Sequence, residues 1–183
     1  MFRNSVSELV VAVGLMCWVV LEIVGHRRTQ AAWLHASLAE RLTIEATAGS
    51  VVPSLIGFGD GGRLEEWDAS DAITIVLVYS ETCPICATNW PMWDSLRDSM
   101  VSGTQVVAVS LGDAEDSSYA LAHRLARVVY HPDATSILAY RLMHTPQTIL
   151  LGRGRVVSGV WTGALTEAQL KDILGRLESL SRK

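Results

Sequence analysis

The sequence predicts an α/β fold: a sheet whose strands alternate with helices packed on both of its faces. Two observations carry this. Short runs of β-branched and apolar residues recur, too apolar for strands with a solvated side, and longer helical stretches separate them. The runs at Ile73–Tyr79, Thr104–Ser110, Val128–Tyr130, Gln147–Leu151 and Val156–Val160 are divided by helical patterns at Pro84–Met100, Ser117–Ala126 and Thr135–Arg141, and a last helix closes the chain. This β-α-β-α-β-α-β-β-α order predicts a mainly parallel sheet with an antiparallel hairpin at its edge.

Before these elements, Val6–Val24 is nearly unbroken apolar sequence. As a helix its roughly 19 residues would reach about 28 Å, close to the hydrocarbon thickness of a bilayer. Glu8 and Glu22 fall near its ends, where a carboxyl reaches the headgroups. Residues 1–28 are therefore expected to be a tail and transmembrane anchor. A cleaved signal peptide is the lesser reading, because the run is long for one and Thr29-Gln30-Ala31 makes a weak cleavage site. Arg3 on one side, against Arg27 and Arg28 on the other, counts toward a cytoplasmic C-terminal domain. Ala31, Leu34, Leu38 and Leu42 recur at helical spacing, so residues 29–48 read as a helical stalk and residues 49–183 as the folded domain. This arrangement accounts for the 49% hydrophobic content and the mean hydropathy of +0.27. A formal net charge of −4 leaves no basic footprint for nucleic acid.

Val51-Val52-Pro53 starts an extended piece, and the glycines from Gly57 to Gly62 mark a hairpin turn rather than a phosphate loop, since no Gly-Lys-Ser/Thr follows. Within Pro84–Met100, Trp90, Trp93 and Leu96 share the face expected to be buried. Pro91 should kink this helix and Gly103 end it. Gly152-Arg153-Gly154-Arg155 turns the last hairpin, and Thr166 caps the last helix.

The chemistry sits at Ser80-Glu81-Thr82-Cys83-Pro84-Ile85-Cys86, where a strand meets a helix. A Cys-x-x-Cys there brings two sulfurs to disulfide distance in the first helical turn. The unpaired N–H groups of that turn favour a thiolate on Cys83, and Pro84 is tolerated because its missing N–H is not needed. Metal binding is the rival reading, but Cys17, the third cysteine, lies in the apolar run, and His26, His35, His123, His131 and His144 lack ligand spacing.

Taken with Thr145-Pro146, these features resemble the thioredoxin-like superfamily, and most closely its membrane-anchored TlpA/ResA-type thiol–disulfide oxidoreductases. The resemblance runs from about Val51 to Leu180. It includes Val52-Pro53-Ser54-Leu55, Asp60-Gly61-Gly62, the dithiol, Pro91 five residues beyond Cys86, Thr145-Pro146, Gly163 and Thr166. It implies a thioredoxin fold, a central mixed sheet with helices on both faces, preceded by an N-terminal β-hairpin. It implies Cys83 as nucleophile and Cys86 as resolving thiol, cycling through a Cys83–Cys86 disulfide with no other cofactor. It also implies a cis bond before Pro146, leaving the Thr145 backbone open to an extended substrate, with Pro84 and Ile85 lining the same surface. Partners would be protein thiols and disulfides and an electron donor in the membrane. The thioredoxin-like domain would lie outside the cytoplasm, against the arginine count. The alternative is a metallochaperone holding copper or zinc on the same pair. The sequence departs from the family pattern at Thr82, at Asn89, where relatives often carry Glu, and at Leu77, where thioredoxins carry a buried Asp. With Glu81 expected to be exposed, no carboxylate is in place to take a proton from Cys86.

Overall fold

A computed structural model describes residues 46–59, 62–112, 124 and 126–182. The anchor, most of the stalk, and the helix expected over Ser117–Ala126, apart from Arg124 and Ala126, lie outside the described residues. Among the described residues no helix is long and apolar enough to cross a membrane. The last residues of the expected stalk, 46–48, are not helical: Thr47 to Ser50 form a turn, and Ala46, 5% exposed, belongs to the core.

The strands are β1 (Leu55–Phe58), β2 (Leu64–Trp67), β3 (Thr74–Tyr79), β4 (Gln105–Ser110), β5 (Arg127–Tyr130), β6 (Gln147–Gly152) and β7 (Val156–Thr162). The helices are α1 (Pro84–Asp98), α2 (Ala134–Tyr140) and α3 (Glu167–Ser181). One sheet contains all the strands in the order β2-β1-β5-β4-β3-β6-β7. Every residue of β3 and of β6 is buried, as their unbroken apolar character requires.

The sheet is less parallel than the alternation of elements predicts. Only β3/β4 and β4/β5 pair in parallel; β1/β2, β1/β5, β3/β6 and β6/β7 are antiparallel. The connection from Tyr130 through α2 to Gln147 leaves the chain at the end of the sheet where β5 finishes and does not return it to the start of β3. The chain enters β6 at the opposite end, with Gln147 against Val78. That reversal puts Pro146 beside the end of β3 from which the dithiol emerges.

Side chains alternate across the strands and feed two cores. On one face Ile75, Leu77, Tyr79 and Leu150 pack against Trp90, Trp93 and Leu96 of α1 and Ile173 and Leu177 of α3. On the other, Val76, Val78, Val107, Val109, Ile149 and Leu151 pack against Ala139 and Tyr140 of α2. The helix α1 runs on through Pro91 and ends at Asp98, short of Gly103. The Ser99 N–H turns back to the Leu96 carbonyl, and Gly103, at φ 86°, instead serves the turn that leads into β4.

Candidate functional site

Cys83 caps α1. Its backbone is extended (φ −93°, ψ 106°), and its Sγ accepts the Cys86 N–H at 3.3 Å, taking the role that a Ser or Asp oxygen usually plays at a helix start. Pro84 follows at the first helical position, exposed, and Ile85 is 52% exposed. One turn into the helix, Cys86 faces inward and is 2% exposed, among Tyr79, Trp90 and Trp93. Both cysteines are free thiols.

From the other side, the loop ahead of β6 brings Thr145 to the dithiol. The Cys83 thiol donates to the Thr145 carbonyl at 3.4 Å, and the Thr145–Pro146 bond is cis. Among the described residues the Thr145 N–H has no hydrogen-bond partner, and the residue is part-exposed. Cys83, Cys86, Thr145 and Pro146 thus meet at one end of the β3/β6 pair, and Pro84 and Ile85 border them.

The two sulfurs sit in opposed environments. Burial works against ionisation of Cys83, but hydrogen bonds from the Cys86 side chain, from the Thr145 hydroxyl and from the Cys86 and Ile85 N–H groups outweigh it and hold this thiol below its usual range. For Cys86, burial and then the hydrogen bond with Cys83 push the thiol up to about 11. One thiol is prepared to lose its proton and the other to keep it.

The Thr145 hydroxyl is a contributor that sequence reasoning missed, having assigned only the backbone of that residue. Asn89 is another. It is 1% exposed, and its Oδ1 accepts the Leu165 N–H at 2.8 Å. Deeper in α1, the Trp93 indole N–H donates to the Thr148 hydroxyl at 2.9 Å, fixing the helix to β6. Leu77 is a core residue. Glu81 is not exposed as expected: it is half-buried, with its carboxylate packed against Gly112 at the end of β4. Among the described residues no group of three or more His, Cys, Asp or Glu side chains could hold a metal ion.

No family model matches the chain, and no curated protein matches it in sequence. Solved structures do. StoA from Bacillus subtilis is similar at 20% identity and a TM-score of 0.51, over 67% of this chain and 97% of its own. The thioredoxin domain of a thiol-disulfide oxidoreductase from Bacteroides vulgatus is similar at 16% identity and 0.54, over 71% and 96%. The chain has the thioredoxin fold. A peroxiredoxin-like protein from Aquifex aeolicus is similar to a like degree, at 13% identity and 0.56, over 74% and 88%, so the thioredoxin fold does not by itself choose a chemistry. What distinguishes this chain is local: a dithiol at a helix start, facing Thr145.

Proposed function

We propose that this protein is a thiol–disulfide oxidoreductase that reduces disulfides of protein substrates through Cys83 and Cys86. The observation that carries the reading is the position of Cys83 Sγ, within hydrogen-bonding distance of the Cys86 N–H and of the Thr145 carbonyl at once. The Cys83 thiolate attacks one sulfur of the client disulfide, and that bond breaks to release the first client thiolate. Cys86 then loses its proton and attacks Cys83 Sγ. A Cys83–Cys86 disulfide forms and the second client thiolate leaves. The client gains two electrons and two protons, and the enzyme dithiol loses them.

In this reading Thr145 offers its unpaired N–H to an extended client segment, with Pro84 and Ile85 beside it. The apolar run Val6–Val24 tethers the domain to a membrane. The domain stands on the extracytoplasmic side, as the resemblance to TlpA/ResA-type proteins implies, and a membrane donor returns the electrons.

A mixed-disulfide trap tests the central claim. In cells, Cys86→Ala should accumulate a client on Cys83, released by reductant and absent when Cys83→Ala is added; recovery of nothing on Cys83 sinks it. Equilibration against glutathione buffers tests the direction. A reductant should poise near the about −270 mV of thioredoxin, far from the about −120 mV of a strong oxidant. An impermeant thiol reagent that failed to reach Cys83 on intact cells would overturn the extracytoplasmic placement.

A further inference from the structure

We propose that Asn89 is a positioning residue for the dithiol site, holding the Thr145–Pro146 segment against Cys83 by way of the loop between β7 and α3. The proposal rests on the oxidoreductase reading for its consequence, but on geometry for its substance.

The loop from Gly163 to Leu165 is fastened on two sides. The Gly163 N–H donates to the Pro146 carbonyl at 2.8 Å, and the Leu165 N–H donates to Asn89 Oδ1, also at 2.8 Å. Asn89 and Cys83 belong to the same continuous helical segment, one in its second turn and one at its cap. Cys83 in turn meets the Thr145 carbonyl at 3.4 Å. These contacts close a circuit: Cys83, α1, Asn89, Leu165, Gly163, Pro146, Thr145, and back to Cys83. Each link is a hydrogen bond or a short stretch of backbone, so beyond the pairing of Gln147 with Val78 and Thr162, the side chain at position 89 sets how the loop holds Pro146 opposite the nucleophile.

The amide also carries a cost that a residue serving only to fill space would not. Its orientation is fixed, because only the oxygen can accept an N–H. Its Nδ2 is then buried with no hydrogen-bond partner among the described residues. Leaving donors buried and unmet is unfavourable, and an aliphatic side chain would avoid it. Of the two ends of this amide, only the oxygen is engaged, and the N–H it meets belongs to the loop that grips Pro146.

The test compares the wild type with Asn89→Leu, which fills the space without an acceptor, and with Asn89→Asp, which keeps an oxygen in place. Asn89→Ser, too short to reach, substitutes for Asn89→Leu should that variant not fold. The first readout is amide exchange by NMR. In Asn89→Leu, protection should fall at least tenfold at Gly163 as well as at Leu165, although the Pro146 acceptor of Gly163 is untouched. Wild-type protection at Gly163 would overturn the clamp. The second readout sets reaction with a disulfide-bonded peptide, which needs Thr145, against alkylation by iodoacetamide, which needs only the sulfur. Both are measured above the titration of Cys83. Exchange should slow by roughly ten- to a hundredfold in Asn89→Leu, as misplacement of a reacting partner by about 1 Å does. Alkylation should stay within twofold, and Asn89→Asp, which keeps the acceptor but adds a charge near the dithiol, should keep wild-type protection at Gly163 and Leu165. Equal loss in both reactions, or the same loss of Gly163 protection in Asn89→Asp, refutes positioning. A wild type inert toward disulfides defeats the oxidoreductase reading, and Gly163 protection still decides the clamp.

Discussion

The Sγ of Cys83 accepts the N–H of Cys86 at 3.3 Å, so the residue kept protonated helps its neighbour ionise. The Cys83 thiol is held below its ordinary value of 9.0 while that of Cys86 is pushed up to about 11. Near neutral pH, alkylation should therefore mark Cys83 and not Cys86, with an onset below that of a free thiol. After a brief pulse of iodoacetamide, fragment-ion sequencing of the tryptic peptide 64–97, which carries both cysteines, reads this. Equal labelling of both cysteines contradicts it.

The same asymmetry makes the reduced protein sensitive to alkali. An unfolded Cys86 loses its proton near pH 9, while the folded one keeps it to about 11. Between those values the folded state binds more protons, so stability falls as pH rises, by up to about 3 kcal/mol for a shift of this size. Cys83 has the opposite sign, its lowered value adding stability above the unfolded pKa. The denaturation midpoint of the reduced protein should drop from pH 9 to 11, and Cys86→Ala should drop less.

The Trp93–Thr148 bond is buried at both ends and joins the helix that carries the dithiol to the strand that follows Pro146. Thr148→Val keeps the shape but strands the indole N–H, and should cost about 1–3 kcal/mol. Trp93→Phe removes the donor and opens space besides. A double-mutant cycle in urea should return a coupling of about 1 kcal/mol, and additive losses would show that the bond contributes little.

How far the sequence anticipates all this depends on the reach of each interaction. The strand β3, the start of α1 and the thiol pair are legible because their causes are local: an apolar run, a proline at the first helical position, two cysteines one turn apart. The end of α1 at Asp98 is not, since Gly103 offers a plausible stop and only the Ser99 N–H bonding back to Leu96 reveals the nearer one. Asn89 reads in sequence as a missing carboxylate. Its partner, Leu165, is 76 residues away, and nothing near position 89 announces it. The half-burial of Glu81 depends likewise on Gly112 arriving from β4. Strand direction is the largest difference of this kind: alternation of elements suggests parallel pairing, and β6 instead enters beside the far end of β3, with Gln147 against Val78.

The segment leading into β1 bonds through its backbone to Arg155 and Val157 and bridges Val51 to Val156, and two side chains from distant elements add to this. Tyr140 donates its hydroxyl to the Pro53 carbonyl at 2.7 Å, and Arg155 donates from Nε to the Val52 carbonyl at 3.0 Å while pairing with Asp68. Tyr140→Phe should lower stability by about 0.5–1.5 kcal/mol, the net worth of one such bond. Because backbone bonds keep this stretch in place when either side chain is lost, Tyr140→Phe with Arg155→Ala should lose about the sum of the two single changes. Denaturant titration of the four proteins measures it, and a loss well below the sum would mean that the two side chains, and not the backbone bonds, hold the segment.

Two glycine-to-alanine changes should act in opposite directions. In β1, a Cβ at Gly57 would lie 2.5 Å from Val129 Cγ1, 2.8 Å from the Tyr130 carbonyl oxygen and 3.2 Å from Pro132 Cα. Two of these are backbone atoms, so the hairpin itself must shift. Its freedom is small: Ile56 is bonded through its carbonyl to the Asp133 N–H at 2.9 Å and through its N–H to the Ser136 hydroxyl at 2.9 Å. Gly57→Ala should therefore destabilise by about 1–3 kcal/mol, as overpacking does. Gly175 lies within α3 with nothing inside 4 Å of the added carbon. There Gly175→Ala only removes backbone freedom from the unfolded chain, and should stabilise by about 0.5–1 kcal/mol. β5 and β4 separate β1 from the strands at the dithiol, so both variants should keep the wild-type rate of Cys83 alkylation. A Gly57→Ala protein as stable as the wild type would show that β1 does not sit against β5 as described. A change in alkylation rate would show that the hairpin and the dithiol are not independent.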